Sequence, residues 1–354
     1  MAYNIALLPP QFDLESKAIL KKAASAHRYL AELKGVATSI PNESILISTL
    51  VLQEARDSSA IENIITTEDE LFRAELFEEF VGPAQKEVQN YAKALRFGFE
   101  KIRTQGLLTQ NLILDIQQHL EENRAGFRKL PGTTLKNQQT VDVVYTPPQD
   151  YDAIVSLMDN LEKIINDDDS WPLDYLIKMA VLHFQFESIH PFYDGNGRTG
   201  RIINILYLVN KGLLDLPILY LSRYIIRHKS DYYRLLQAVR DQNAWEPWVL
   251  YMLEGVEQTA RGTIQTIEHI RRLMLSYKHQ IRKQFPKIYS QDLLNNLFRH
   301  PYTKIEFVMH DLHVSRPTAT QYLDKLSEAG FLDKMKKGRS NYYVNAPLLK
   351  VFLA

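Results

Sequence analysis

His190-Pro191-Phe192-Tyr193-Asp194-Gly195-Asn196-Gly197-Arg198-Thr199-Gly200-Arg201 brings an imidazole, a carboxylate, a glycine turn and two arginines into one short stretch. The residues that follow, Ile202-Ile203-Asn204-Ile205-Leu206-Tyr207-Leu208-Val209, are apolar nearly all round. A segment of that kind is a helix buried on every side. Its N-terminus is then fixed rigidly at the Gly195-Asn196-Gly197 turn, with backbone N–H groups that no intrahelical carbonyl satisfies. Such a terminus is an anion site, and phosphate is its usual occupant.

A dinucleotide fingerprint hides in the same letters, since Gly195, Gly197 and Gly200 are spaced G-x-G-x-x-G with Asp215 following. That fingerprint has to follow a short strand. Here Leu173, Leu176, Ile177, Ala180, Val181 and Phe184 recur at helical spacing before it. The context is wrong, and the dinucleotide reading fails.

Each residue of the stretch has a chemical and a structural reading. His190 has the pKa range to take a hydroxyl proton near neutrality, or it closes a helix before Pro191. Asp194 is a hard oxygen ligand suited to Mg²⁺, or an ordinary turn aspartate beside glycine. Gly195 and Gly197 let the backbone approach phosphate, and the Asn196 amide adds a donor. Arg198 and Arg201 lie on roughly one face of the first helical turn and reach outer phosphates. Occurring together, these residues favour the chemical reading over isolated structural ones.

The stretch resembles the Fic-domain signature His-Pro-Phe-x-(Asp/Glu)-Gly-Asn-Gly-Arg-x-x-Arg and matches it at every defined position. The resemblance implies a mainly α protein: a Fic-fold helical core with a short β-hairpin flap, a helical N-terminal region and a C-terminal winged helix-turn-helix. It implies an adenylyltransferase that moves AMP from ATP, with Mg²⁺, onto a Ser, Thr or Tyr hydroxyl of a target protein or of itself. His190 is then the base, Asp194 the metal ligand, Arg198 the contact to the β-phosphate and Arg201 that to the γ-phosphate. Phe192 is a packing anchor. The hairpin-like stretch from Lys136 to Thr146 is a flap that seats the target by strand addition. Tyr232 and Tyr233 line the adenine pocket or, equally, belong to the core.

Far upstream, Ser58-x-x-x-Glu62-Asn63 resembles the Fic inhibitory motif (Ser/Thr)-x-x-x-Glu-(Gly/Asn). The resemblance implies that Glu62 pairs with Arg201 and takes away the γ-phosphate ligand. The plainer alternative is a glutamate on a helix surface. Two other functions stand beside AMP transfer: a nucleotide-sensing transcription regulator with a Fic core, and removal of AMP by the same site.

Working outward, residues 1–110 read as a helical N-terminal region, 111–256 as the catalytic core, 257–285 as a linker helix and 286–354 as the winged helix. Thr67-Glu68-Asp69-Glu70 has the pattern of a capping box. Val141 to Thr146 is β-branched and aromatic, closed by Pro147-Pro148, and predicts a strand or hairpin arm. Arg261, Arg271, Arg272, Lys278, Arg282 and Lys283 make the linker helix basic and polar. Beyond Pro286, a helix from Ser315 with Ala319, Tyr322, Leu323 and Leu326 inward, then a hairpin around Lys336-Lys337-Gly338-Arg339, carries the winged-helix pattern. Residues 286–354 hold ten Lys or Arg and six Asp or Glu, net +4. Thr318, Gln321 and Lys325 on the outward face fit DNA, while docking to protein or forming a homodimer fits equally well.

The 354 residues hold 42 Lys plus Arg against 42 Asp plus Glu, so no global charge draws the chain to nucleic acid or membrane. The absence of cysteine excludes disulfides and Cys-based zinc sites and fits a reducing compartment. The N-terminus has neither a basic start nor a long apolar run, and no stretch reaches the ~20 apolar residues of a membrane helix. The expectation is a cytoplasmic protein with no membrane partner.

Overall fold

The computed structural model describes residues 4–67, 69–72, 82–136, 142–337 and 340–353. Glu68 of the capping box, residues 137–141 of the flap, and Gly338 and Arg339 at the basic hairpin tip lie outside them. The chain is mainly helical, as the sequence implies, and its first two helices start where the sequence supplies a side-chain cap. Helix α1 (Lys17–Ala37) opens at Ser16, whose hydroxyl accepts from the Ile19 N–H. Helix α2 (Glu43–Ile61) opens at Asn42, whose side chain accepts from the Ser44 N–H. Thr67 and Glu70 exchange backbone-to-side-chain bonds of 3.2 and 2.9 Å, which is the reciprocal capping arrangement.

Helix α2 is buried on several faces. Ile45, Leu46, Leu50, Val51, Leu52, Ala55 and Ile61 are all enclosed, and so are the polar Glu54, Ser58 and Ser59. It packs against α3 (Pro83–Gln105), which is followed by α4 (Gln110–Glu121). Gly98 of α3 meets Leu206 and Ile116 where a Cβ would stand, so glycine sets the close approach of α3 and α4 to the central helix. The short ribbon of β1 (Leu135–Lys136) and β2 (Val143–Tyr145) is antiparallel, with Leu135 opposite Tyr145.

Helices α5 (Tyr151–Asn166), α6 (Tyr175–Ile189) and α7 (Asn196–Asn210) form the centre. Every residue of α6 from Leu176 to Ile189 is buried, and α7 is buried through Leu208 apart from the half-buried Gly197. Full enclosure is why neither shows a one-sided apolar stripe. Two shorter helices follow, α8 (Leu221–Arg227) and α9 (Lys229–Gln242). Among the described residues no helix is long and apolar enough to cross a membrane.

Helix α10 (Trp245–Gln284) is continuous over 40 residues and crosses position 257 without a break. Val256, Ala260, Ile264, Ile267, Ile270, Met274, Tyr277 and Ile281 make a buried stripe along it. Its first half lies along α1, and its far end enters the C-terminal unit. Only its outer face has the solvated, basic character of a linker. The C-terminal unit comprises α11 (Gln291–Arg299), β3 (Tyr302–Lys304), α12 (Ile305–Leu312), α13 (Arg316–Glu328), β4 (Asp333–Lys337), β5 (Ser340–Val344) and α14 (Ala346–Leu353). Its sheet is antiparallel in the order β3-β5-β4.

This unit shares a core with the rest. The Tyr277 hydroxyl donates to the Phe331 carbonyl at 2.8 Å, and its ring meets Phe298 and Phe331 edge-on. Phe72 packs on Phe352 and His300. Gln53 of α2 donates to the Phe352 carbonyl at 3.1 Å.

Candidate active site

Helix α6 ends at His190, which takes the left-handed conformation (φ 49°, ψ 59°) while its N–H donates to the Phe186 carbonyl at 2.9 Å. Arg128, from the loop after α4, fixes the turn. Its Nε donates to the His190 carbonyl and its backbone N–H to the Pro191 carbonyl, both at 2.8 Å. Phe192 is fully buried between Phe127 and Phe186, the anchor that the sequence implied. The His190 ring is half-buried, with Nδ1 lacking a partner among the described residues. Burial, with the charge of Arg128, lowers its pKa to about 4. The imidazole is therefore neutral at pH 7 and free to accept a proton.

The turn into α7 closes on Asn196. Its side-chain oxygen accepts from the Phe192 N–H and its amide donates to the Phe192 carbonyl, each at 2.8 Å. One N–H of the amide assigned from sequence to phosphate is thus used to close the loop. Asp194 is exposed, with one oxygen accepting from the Gly195 N–H at 2.7 Å. Among the described residues no three His, Cys, Asp or Glu side chains stand together as a metal site. Asp194 fits Mg²⁺ as a single hard ligand, provided that the ion brings phosphate oxygens with it.

Both arginines are buried and both are already engaged. Arg201, 2% exposed, donates from Nε to the Ser58 hydroxyl (2.7 Å) and from Nη2 to the Ser58 carbonyl (3.0 Å) and Glu62 Oε1 (2.8 Å). Burial would raise the Glu62 pKa, but the charges of Arg201, Arg198 and Lys229 outweigh it and hold the carboxyl below its usual range. Asn63 (φ 63°) reverses the chain after α2, a conformation that asparagine tolerates, and its side chain accepts from Lys229 at 3.0 Å. Arg198, 4% exposed, donates from Nη1 to Glu87 and from Nη2 to Glu121, each at 2.8 Å.

The two tyrosines part company. Tyr232 is buried, its hydroxyl 2.9 Å from His183 Nε2 and its ring beside Trp248, so it belongs to the core. Tyr233 is 44% exposed and is the one with a face open to a ligand.

Glu87, Glu121, Arg128, His183 and Glu187 were not singled out from sequence. Glu187 had a signal: a lone acid in an apolar helix, one turn before His190. Burial, with the like charge of Glu62, raises its pKa to about 7 against the pull of Arg201. Burial and Arg201 lower His183 to about 3, so it stays neutral.

A Fic/DOC family model matches residues 107–208, a Fic/DOC family N-terminal model matches residues 20–100, and a protein adenylyltransferase SoFic-like C-terminal domain model matches residues 273–348. The chain belongs to the Fic family. A probable protein adenylyltransferase of Aquifex aeolicus is 30% identical over 119 residues, 34% of this chain and 35% of that protein. The protein adenylyltransferase Fic of Drosophila mojavensis is 26% identical over 155 residues, 43% of this chain and 29% of that protein. The Fic chain thus spans about a third of the length of these curated relatives. Among solved structures, a Fic family protein of Desulfovibrio desulfuricans aligns with a TM-score of 0.61 at 20% identity, covering 95% of this chain and 98% of that one. Fic-1 of C. elegans aligns with a TM-score of 0.55 at 20% identity, covering 71% and 73%. These two likenesses establish the Fic fold.

Proposed function

We propose that this protein transfers AMP from Mg-bound ATP to a hydroxyl side chain of a protein and that Glu62 holds the reaction back. The observation that carries the reading is His190 at the end of α6, its Nδ1 without a partner among the described residues, next in the chain to an α7 terminus with two buried arginines. The hydroxyl oxygen attacks the α-phosphorus as its proton passes to His190. The bond from the α-phosphorus to the bridging oxygen breaks, and pyrophosphate leaves with that oxygen. The free N–H groups of Asn196, Gly197 and Arg198, with both guanidinium groups, stabilise charge on the phosphates. A bound Mg²⁺, held by Asp194 and phosphate oxygens, would neutralise part of that charge. The proton on His190 then returns to solvent.

Glu62 supports self-inhibition because it occupies Arg201, the assigned γ-phosphate ligand. A triphosphate bound without that ligand has its α-phosphate out of line, and a misplacement of about 1 Å costs roughly a hundredfold in rate. The exposed Gln321 and Lys325 on α13 leave the C-terminal unit open to DNA as a partner, and a winged helix is the reading its two helices and hairpin support. Incubation with Mg-ATP labelled at the α-phosphate tests the reaction. Label should reach this protein or a co-purifying one, and His190→Ala should abolish it. Transfer of γ-label instead would mean a kinase reaction and refute the proposal.

A further inference from the structure

Each glycine of the α7 turn has a carboxylate oxygen so near that a Cβ would collide with it. At Gly197 it is Glu62 Oε1, and at Gly195 it is Glu121 Oε1. The two carboxylates then reach the two arginines in turn, Glu62 to Arg201 and Glu121 to Arg198, both at 2.8 Å. The space that glycine opens for phosphate is therefore filled by oxyanions of the protein. Carboxylate and phosphate are bound by the same guanidinium fork, so they compete for it.

We propose that Glu121, with Glu87 on the other nitrogen of the same guanidinium, is a second carboxylate lock, which sets the affinity of the site for a nucleotide β-phosphate. The inference rests on reading this site as an ATP site. Each terminal nitrogen of Arg198 holds one of these two acids, and its buried Nε has no acceptor among the described residues. Glu121 is the last residue of α4 and largely buried, whereas Glu87 on α3 is 42% exposed. Burial raises the Glu121 pKa; Arg198 opposes the rise, while the like charges of Asp194 and Glu87 add to it. Its seat thus depends on Arg198, and an incoming phosphate that takes Arg198 removes what holds it. The two locks act on different quantities. Glu62 takes the γ-phosphate ligand and spoils alignment, so its loss shows in kcat. Glu121 holds the β-phosphate ligand and crowds Gly195, so its loss shows in nucleotide binding.

Titration calorimetry of the full chain with Mg-ATP, Mg-ADP and AMP tests this in wild type, Glu121→Gln, Glu62→Gly and the double variant. Glu121→Gln should tighten Mg-ATP and Mg-ADP by at least about fivefold and leave AMP, which has no β-phosphate, unchanged. The double variant should combine this gain with the higher kcat of Glu62→Gly, because the changes touch different arginines. If Glu121→Gln does not fold, Glu121→Asp should give the same tightening, since the shorter chain draws back from Arg198. Unchanged or weaker binding of Mg-ATP in the folded variant would overturn the inference, as would equal gains for AMP. Adenylyl transfer that persists under those results would keep the proposed function intact. Failure of every variant to bind Mg-ATP would refute both.

Discussion

Glu62→Gly should move stability and activity in opposite directions, and the structure sets the size of each. Arg201 makes one bond to Glu62 and two to Ser58. A hydrogen bond between charged groups contributes about 1.5–3 kcal/mol. The Glu62 side chain is 33% exposed, so solvent screening reduces the loss to about 1–2 kcal/mol. At roughly 2–4 °C per kcal/mol for chains of this order, melting should fall by several degrees. Ser58 still holds Arg201, which limits the damage. The rate of AMP transfer should rise by at least about tenfold, which asks only ~1.4 kcal/mol of the barrier. Scanning fluorimetry reads the first effect and α-labelled ATP the second. Arg201→Ala should lower the rate and erase the gain when combined with Glu62→Gly, since both changes act on one contact. Equal rates for wild type and Glu62→Gly at saturating Mg-ATP would refute the reasoning and leave the Glu62–Arg201 pair a structural tie.

Three further outcomes can be measured. In Glu62→Gly, kcat/KM should hold from pH 7.5 down to about 5 and fall only towards pH 4, because burial keeps His190 deprotonated to about 4; an inflection near 6.5 would mean a solvated ring. Glu54, buried on α2 and accepting from Tyr91 and Ser222, has its pKa raised to about 8 by burial. A raised pKa gives stability that is present at low pH and lost as pH rises towards 8, so Glu54→Gln should flatten the fall in melting temperature between pH 6 and 9; an unaltered slope would contradict this. Phe352→Ala should cost about 3–5 kcal/mol in denaturant unfolding, because it empties a buried aromatic site against Phe72; a loss below about 1 kcal/mol would show the C-terminal helix to be loosely docked.

The loop from His190 to Arg201 was legible because its chemistry is contiguous and its glycines leave few backbone alternatives. Glu62 was legible only through resemblance, since nothing local says that a residue 139 positions before Arg201 will touch it. Glu87 and Glu121 had no signal at all. They lie 111 and 77 positions from Arg198, and a glutamate near a helix end ordinarily faces water. Asn196 shows a second role that its side chain suits equally well, closing the turn onto Phe192. In α10 the arginines of the outer face drew attention from the stripe of Val256, Ala260, Ile264, Ile267 and Ile270 beneath them. The period was present, but a basic surface masked a core element.

That helix makes the molecule a fixed ruler. Forty residues at 1.5 Å per residue extend about 60 Å. One end begins at Trp245 and Trp248, which flank α6 through Phe184 and His183. The other is clasped at Tyr277 and Ile281 by the C-terminal unit. A partner gripped by that unit would hang at a set distance and bearing from His190, with no slack to search. Adding or deleting one residue in mid-helix would turn its far end by about 100° around the axis, as 3.6 residues per turn requires, against the seat that Gln53 and Phe72 give the C-terminal unit. Reach and angle are therefore set by the length of that helix together with the docking of Phe352 on Phe72.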